Sequence, residues 1–431
     1  MRSLLFVLQV ISAGVGGPPP PAAAQQGGGT EFAALIARLS EPGGYFDSDN
    51  LVSNETSYLH VIPALRALEV RGGAYLGVGP EQNFSYLAEI KPDLAILIDI
   101  RRDNMLLHLL LKAMFESARN RMEYLCLLYG RPAPPDPRRW TDAPLEDILT
   151  YLDITPGDSA SYAGSHAALM ERVIRYGVPI ADSDRATLGR FHDEFFHSGL
   201  EITFTSRGRP SRPGYPSERQ LYLSLDLDGR PSSYLATEDR FRTVRELERR
   251  NRVIPVVGDL SGPVAMKAIA GYLREKGLRV SAFYVSNVEM YLFRQGSFAR
   301  YAENVRALPS GPNSVIVRSV FGRGWPGPAG GAVGGAGGGS RGDSGPVIPQ
   351  ALPGHLSAQL LQTFPVFLKL TVRPDSVSYW DILTGAAVDL RAPVPGGGRP
   401  RQRRRGRPRP PPRARSARRG RALGPAPDRS A

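Results

Sequence analysis

Ala74-Tyr75-Leu76-Gly77-Val78-Gly79 and, one turn and one helix later, Leu94-Ala95-Ile96-Leu97-Ile98-Asp99-Ile100 decide the fold of this chain. Both are short apolar runs without polar alternation, which suits strands buried on both faces of a parallel sheet. Pro80 to Asn83 turns the chain between them, and Phe84 to Ile90 can form a helix. Asp103 to Leu128 reads as one long helix with Leu106, Leu109, Leu110, Ala113 and Met114 on its buried side. Strand, turn, helix, strand, helix opens a doubly wound, mostly parallel α/β sheet.

The same alternation returns downstream. Val253 to Asp259, Val280 to Val285 and Ser314 to Ser319 read as strands, with helices over Gly262 to Lys276 and about Val288 to Leu308. Residues 31–130 are therefore assigned to the first half of a Rossmann-like core and 252–323 to the second half. Residues 131–251 break the alternation and read as a largely helical inserted cap, with helices at Glu146 to Leu152 and Ser165 to Tyr176. Residues 351–390 keep enough apolar character for a final helix and strand on the core. Residues 25–30, the Gly-rich linker 324–350 and the Arg/Pro-rich tail 391–431 have compositions that cannot bury enough apolar surface to order.

Charge follows this division. The 431 residues carry a formal charge of +13, but Arg391 to Ala431 holds 14 Arg and one Asp, so the first 390 residues have 40 basic and 40 acidic side chains. The body gives no electrostatic reason for a specific nucleic-acid partner; a tail-driven contact would be salt-sensitive and sequence-blind. Cys126 is the single cysteine, which excludes an intramolecular disulfide and a Cys-based zinc cluster. No His/Asp/Glu grouping has metal-ligand spacing, and neither a nucleophile elbow nor a phosphate loop is present. Residues 1–24, with Arg2, an apolar stretch from Leu4 to Val15 and Ala22-Ala23-Ala24, fit a signal peptide, which would make the protein secreted or periplasmic; without cleavage it would be cytoplasmic. No stretch is long and apolar enough for a transmembrane helix.

Chemistry, if present, belongs at the carboxyl ends of the strands. Gly77-Val78-Gly79 leaves a strand and enters a helix, where glycines admit close approach of a ligand and free N–H groups face it. Asp99 ends the next strand, where an acid can accept from ribose hydroxyls; it could equally cap the helix starting near Asp103. Asp259 ends the third strand, placed for an adenine amino group or for capping the helix near Pro263. Ser286-Asn287-Val288-Glu289 follows the fourth strand, and Ser53-Asn54-Glu55 repeats its small-amide-acid character; the two could line one pocket, or cap helices. Asn54, Glu55, Asn287 and Glu289 are thus the candidate catalytic residues.

Phe46-Asp47-Ser48-Asp49-Asn50 with Ser53-Asn54-Glu55, then Gly77 to Tyr86, then Asp99-Ile100-Arg101-Arg102-Asp103-Asn104, resembles an uncharacterised bacterial protein family with a divergent S-adenosylmethionine-methyltransferase-like core. The resemblance covers roughly Tyr45 to Phe321. It implies S-adenosylmethionine as cofactor, with Gly77 and Gly79 facing its methionine part, Asp99 the ribose and Asp259 the adenine side. Two departures accompany it. Pro80-Glu81-Gln82 stands where methyltransferases commonly have a third glycine, so Glu81 joins the implied cofactor-binding residues and would place a charge near the cofactor carboxylate, unfavourable unless Arg101 or Arg102 offsets it. Ser286-Asn287-Val288-Glu289 replaces the N-P-P-[YF] motif of amino-group methylation. The implied function is a methyltransferase-like protein acting on an unknown small-molecule or protein substrate. The alternative is a non-catalytic exported binding or envelope protein on the same scaffold, which export would favour because S-adenosylmethionine is a cytosolic metabolite.

Overall fold

The computed structural model describes residues 23–207, 214–321, 351–385, 388 and 390. Residues 1–22 of the signal peptide expected over residues 1–24, the linker 324–350 and the tail 391–431 lie outside them. Six strands form one sheet: β1 (Ala74–Gly77), β2 (Leu94–Asp99), β3 (Val253–Val257), β4 (Val280–Ser286), β5 (Ser310–Phe321) and β6 (Ser357–Thr363). Their order is β3-β2-β1-β4-β5-β6, parallel throughout except that β6 runs antiparallel to β5. The order reverses between β1 and β4, the switch point outside which ligands sit in open α/β sheets. Every residue of β1 and β3 is buried, as is all of β2 up to Asp99.

Pro255 can sit inside β3 because that strand is an edge and pairs with β2 alone. The exposed side of the edge is covered by the segment ahead of the sheet. Glu41 N donates to Val257 O (2.9 Å), and Val257 N donates to Ser40 Oγ (3.1 Å).

Three sequence expectations need correction. Residues 25–30 belong to a helix, Ala23–Leu39, whose buried Phe32, Ile36 and Leu39 dock beside β3. Gly29 lets it approach the chain at Tyr176: a Cβ there would meet Arg175 O at 2.8 Å. The long helix expected over Asp103 to Leu128 is two, Arg102–Ser117 and Arg121–Leu128, because Asn120 turns extended and its side chain accepts from Glu123 N (3.0 Å). The helix expected over Val288 to Leu308 is likewise two, Val288–Arg294 and Phe298–Ala307, separated by Gly296 at φ +66°.

The insertion is helical, with Leu145–Ile154, Ser159–Arg175, Asp182–Ser198, Glu218–Tyr222 and Glu238–Arg249. Rather than lying over the sheet edge, it extends one crossover. Its last helix packs between Gln82–Ile90 and Arg102–Ser117 before the chain enters β3. Buried Phe115, Tyr124, Tyr234 and Phe241 interlock there, with the Phe115 and Phe241 rings stacked at 5.3 Å.

Candidate functional site

A cleft of about 1060 Å³, counting its open mouth, lies at the carboxyl ends of β1 to β4. Each strand delivers its following loop to it: Val78 and Gly79 after β1, Asp99 to Arg101 after β2, Gly258 to Leu260 after β3, and Ser286 to Val288 after β4. The segment ahead of the sheet adds Tyr45, Phe46, Asn50 and Ser53 to Glu55, and the insertion adds Phe204.

Gly77, expected at the cofactor, does not line the cleft. A Cβ there would fall on Asn83 Oδ1 and approach the Tyr75 ring to 2.7 Å, so the glycine makes room for Asn83. Asn83 holds the turn from behind: its Nδ2 donates to Val78 O (2.9 Å) and Pro80 O (2.8 Å), while Tyr75 OH donates to its Oδ1 (2.8 Å). His108 Nε2 adds a bond to Gly79 O (2.9 Å); burial pushes its imidazole down to about 4, so the ring is neutral and the bonded nitrogen carries the proton. Gly79, at φ +82°, faces the cleft.

Glu81 turns away. Its carboxyl is buried, and that burial, with the neighbouring Glu218 carboxyl, pushes it well above the usual carboxylate range. The charge expected beside a cofactor carboxylate is therefore absent from the cleft. Neither arginine offsets it: Arg102 pairs with Asp184 (2.8 Å), and Arg101 pairs with Asp99. The Arg101–Asp99 pair is bidentate (3.0 and 2.8 Å), and Arg101 N adds a third bond to the carboxylate (2.9 Å). Arg101 Nη1 spans to the carbonyls of Ser48 (2.8 Å) and Asp49 (2.7 Å), which ties the segment ahead of the sheet to the rim. Asp99 thus faces the cleft in a fixed pose and bonds the residue preceding the helix Arg102–Ser117 rather than the helix itself.

Asp259 also lines the cleft, its Oδ1 accepting from Ser261 N (2.8 Å) and Ser261 Oγ (3.0 Å). The cap expected of it comes from Glu41, a residue sequence reasoning missed. Glu41 Oε2 accepts from Val264 N (2.9 Å) and Ala265 N (3.1 Å) at the start of the helix Ala265–Glu275.

The two small-amide-acid clusters meet. Ser286, at φ +51°, donates its Oγ to Glu55 Oε1. Glu55 is 1% exposed, and its Oε2 accepts from Tyr284 OH (2.6 Å), Ser319 Oγ and Gln359 Nε2 (3.1 Å). Strands β4, β5 and β6 thus all converge on one carboxylate. Asn54 and Asn287 line the cleft beside it, and Asn287 makes no side-chain cap on the following helix. Glu289 does not join them. It points into the core, where Arg318 donates to both its oxygens and Tyr301 OH to Oε1 (2.9 Å). One helical residue past Val288 reverses the facing, which the linear motif does not reveal.

Tyr284, Ser319, Gln359, Glu41 and Gln82 are the partners sequence reasoning left out, and Arg101 pairs with Asp99 instead of offsetting Glu81. The strand residues among them carried no signal beyond strand composition, and Gln359 lies across the linker. Among the described residues no group of three or more His, Cys, Asp or Glu is placed to hold a metal ion, and no helix is long and apolar enough to cross a membrane. Among curated proteins none matches the chain. Residues 50–131 and 209–337, which flank most of the helical insertion and carry nearly the whole cleft lining, match a family model described as a domain of unknown function (DUF7790), and the chain thereby resembles an uncharacterised family.

Proposed function

We propose that the protein is an S-adenosylmethionine-dependent methyltransferase-like protein. The observation that carries this reading is the convergence of Gly79, Asp99, Asp259 and Asn287, each at or just past the carboxyl end of a different parallel strand, on one cleft at the topological switch point. The lining suits the cofactor: Asp99 is held open to a ribose, Asp259 reaches the far side for an adenine amino group, and Glu81 withdraws from the methionine end. Gly79, not Gly77, would make the close backbone approach. When bound, the cofactor would supply an electrophilic methyl group. The chain would supply position and a dry wall, with Phe46, Phe204, Tyr291 and Leu292 excluding water around Asn54, Glu55 and Asn287.

Calorimetric titration of the purified protein with S-adenosylmethionine and S-adenosylhomocysteine tests this. Both should bind, and Asp99→Ala should weaken both at least tenfold. Silence with both ligands overturns the reading in favour of a non-catalytic binding protein.

A further inference from the structure

The Glu55 end of the cleft has hydrogen-bond acceptors and too few donors. Glu55 is buried, and among the described residues no Lys, Arg or His pairs with it. Its Oε2 is filled by three donors, whereas Oε1 receives Ser286 Oγ alone and keeps a second acceptor position.

A second acceptor is linked to Glu55 through Tyr284. Gln82 lines the cleft and is 5% exposed. Tyr284 gives its single hydroxyl hydrogen to Glu55, so it must accept from Gln82, which fixes the amide with Nε2 toward the phenol (3.2 Å). That leaves Gln82 Oε1 buried without a partner. A buried acceptor without a donor is costly, so the pair calls for a group bringing at least two hydrogens.

The surroundings fix its sign. Among the described residues, Glu55, Asp99 and Asp259 line the cleft against Arg101 alone, and Arg101 is consumed by Asp99 and two carbonyls. The Phe46 and Tyr291 rings, edge to face at 5.5 Å, and Phe204 supply π faces that favour a cation.

We propose that Glu55 Oε1 and Gln82 Oε1 together receive the ammonium or primary amine group of the protein's small-molecule substrate, making them specificity-determining residues that reject carboxylates and phosphates. This rests on the methyltransferase reading for calling that ligand the acceptor, but its test does not need the cofactor.

Benzylamine, benzyl alcohol and benzoate, titrated into the full chain by ligand-observed NMR with and without S-adenosylhomocysteine, share one ring and differ in the group presented. Benzylamine should bind at least tenfold more tightly than either other probe. Glu55→Gln should weaken it at least tenfold while leaving S-adenosylhomocysteine affinity within twofold. Gln82→Leu, which removes the second acceptor without touching the carboxylate, should weaken benzylamine three- to tenfold and serves if Glu55→Gln does not fold. Benzoate binding as tightly as benzylamine, no benzylamine binding, or unchanged affinity in the folded variants overturns the proposal. A wild-type protein that takes benzylamine but not S-adenosylhomocysteine keeps the amine site and overturns the methyltransferase reading alone.

Discussion

Glu55 and Glu289 are buried glutamates on the two sides of β4, and their surroundings differ in one respect. Glu289 has a cation: the Arg318 guanidinium forks onto it, and both side chains are 2% exposed. Glu55 has four neutral donors and an open cleft. A carboxylate matched with a guanidinium is electrostatically complete and serves packing. One held only by hydroxyls and an amide has no cation partner among the described residues and is open to one from a ligand. The strained φ of Ser286, costing about 1–3 kcal/mol, sits on the Glu55 side, where backbone strain accompanies function more often than packing.

The contrast can be broken at its stronger end first. Arg318→Ala strands Glu289 in the core and should cost about 3–5 kcal/mol in chemical denaturation; a loss under about 1 kcal/mol would mean that Glu289 reaches water. Glu218 sharpens the comparison as a third kind, a buried carboxyl with phenols from Tyr129 and Tyr222 and no cleft; burial raises it to about 7. An acid whose folded value lies above its unfolded one binds more protons when folded, so stability falls as pH rises from about 4.3 through 7. Glu218→Gln should remove that slope, gaining about 1–3 kcal/mol on wild type between pH 5 and pH 8 in paired urea melts. A difference independent of pH would contradict the raised value.

Asp99→Ala tests the cleft side. Its loss should appear in ligand affinity, at least tenfold or about 1.4 kcal/mol, more than in the melting temperature, because Arg101 keeps its carbonyl partners. A collapse of stability with no change in affinity would make Asp99 a packing residue like Glu289. Smallest is Asn120→Ala, which removes a neutral cap and should cost about 1 kcal/mol by the same denaturation assay. It sets the scale against which the charged sites are judged, and a loss near that of Arg318→Ala would remove the distinction.

Much of this was legible before the structure. The apolar runs at Leu76 and Ile96 carry the parallel sheet because only strands covered on both faces dispense with polar alternation. The position of Asp99 and the likeness of Ser53-Asn54-Glu55 to Ser286-Asn287 followed from where loops leave such a sheet. Residue types in a motif did not reveal facing: Asn287 and Glu289 are two apart, yet one lines the cleft and the other is sealed against Arg318. Helix ends were misjudged where a single residue, Asn120 or Gly296, broke an otherwise continuous apolar stripe.

By itself the sequence determined which segments form the five parallel strands, that the sheet is doubly wound, and that acids stand at its carboxyl edge, since burial pattern and periodicity are local properties of the chain; the antiparallel β6 was read only as part of a final helix and strand. Only the tertiary structure decided which acid finds a cation, which glycine makes room for Asn83 rather than a ligand, and that Gln359, from beyond the linker, closes the cradle of Glu55. Those outcomes depend on side chains tens to hundreds of residues apart meeting in a low-dielectric interior, where one partner more or less decides what a charge can do.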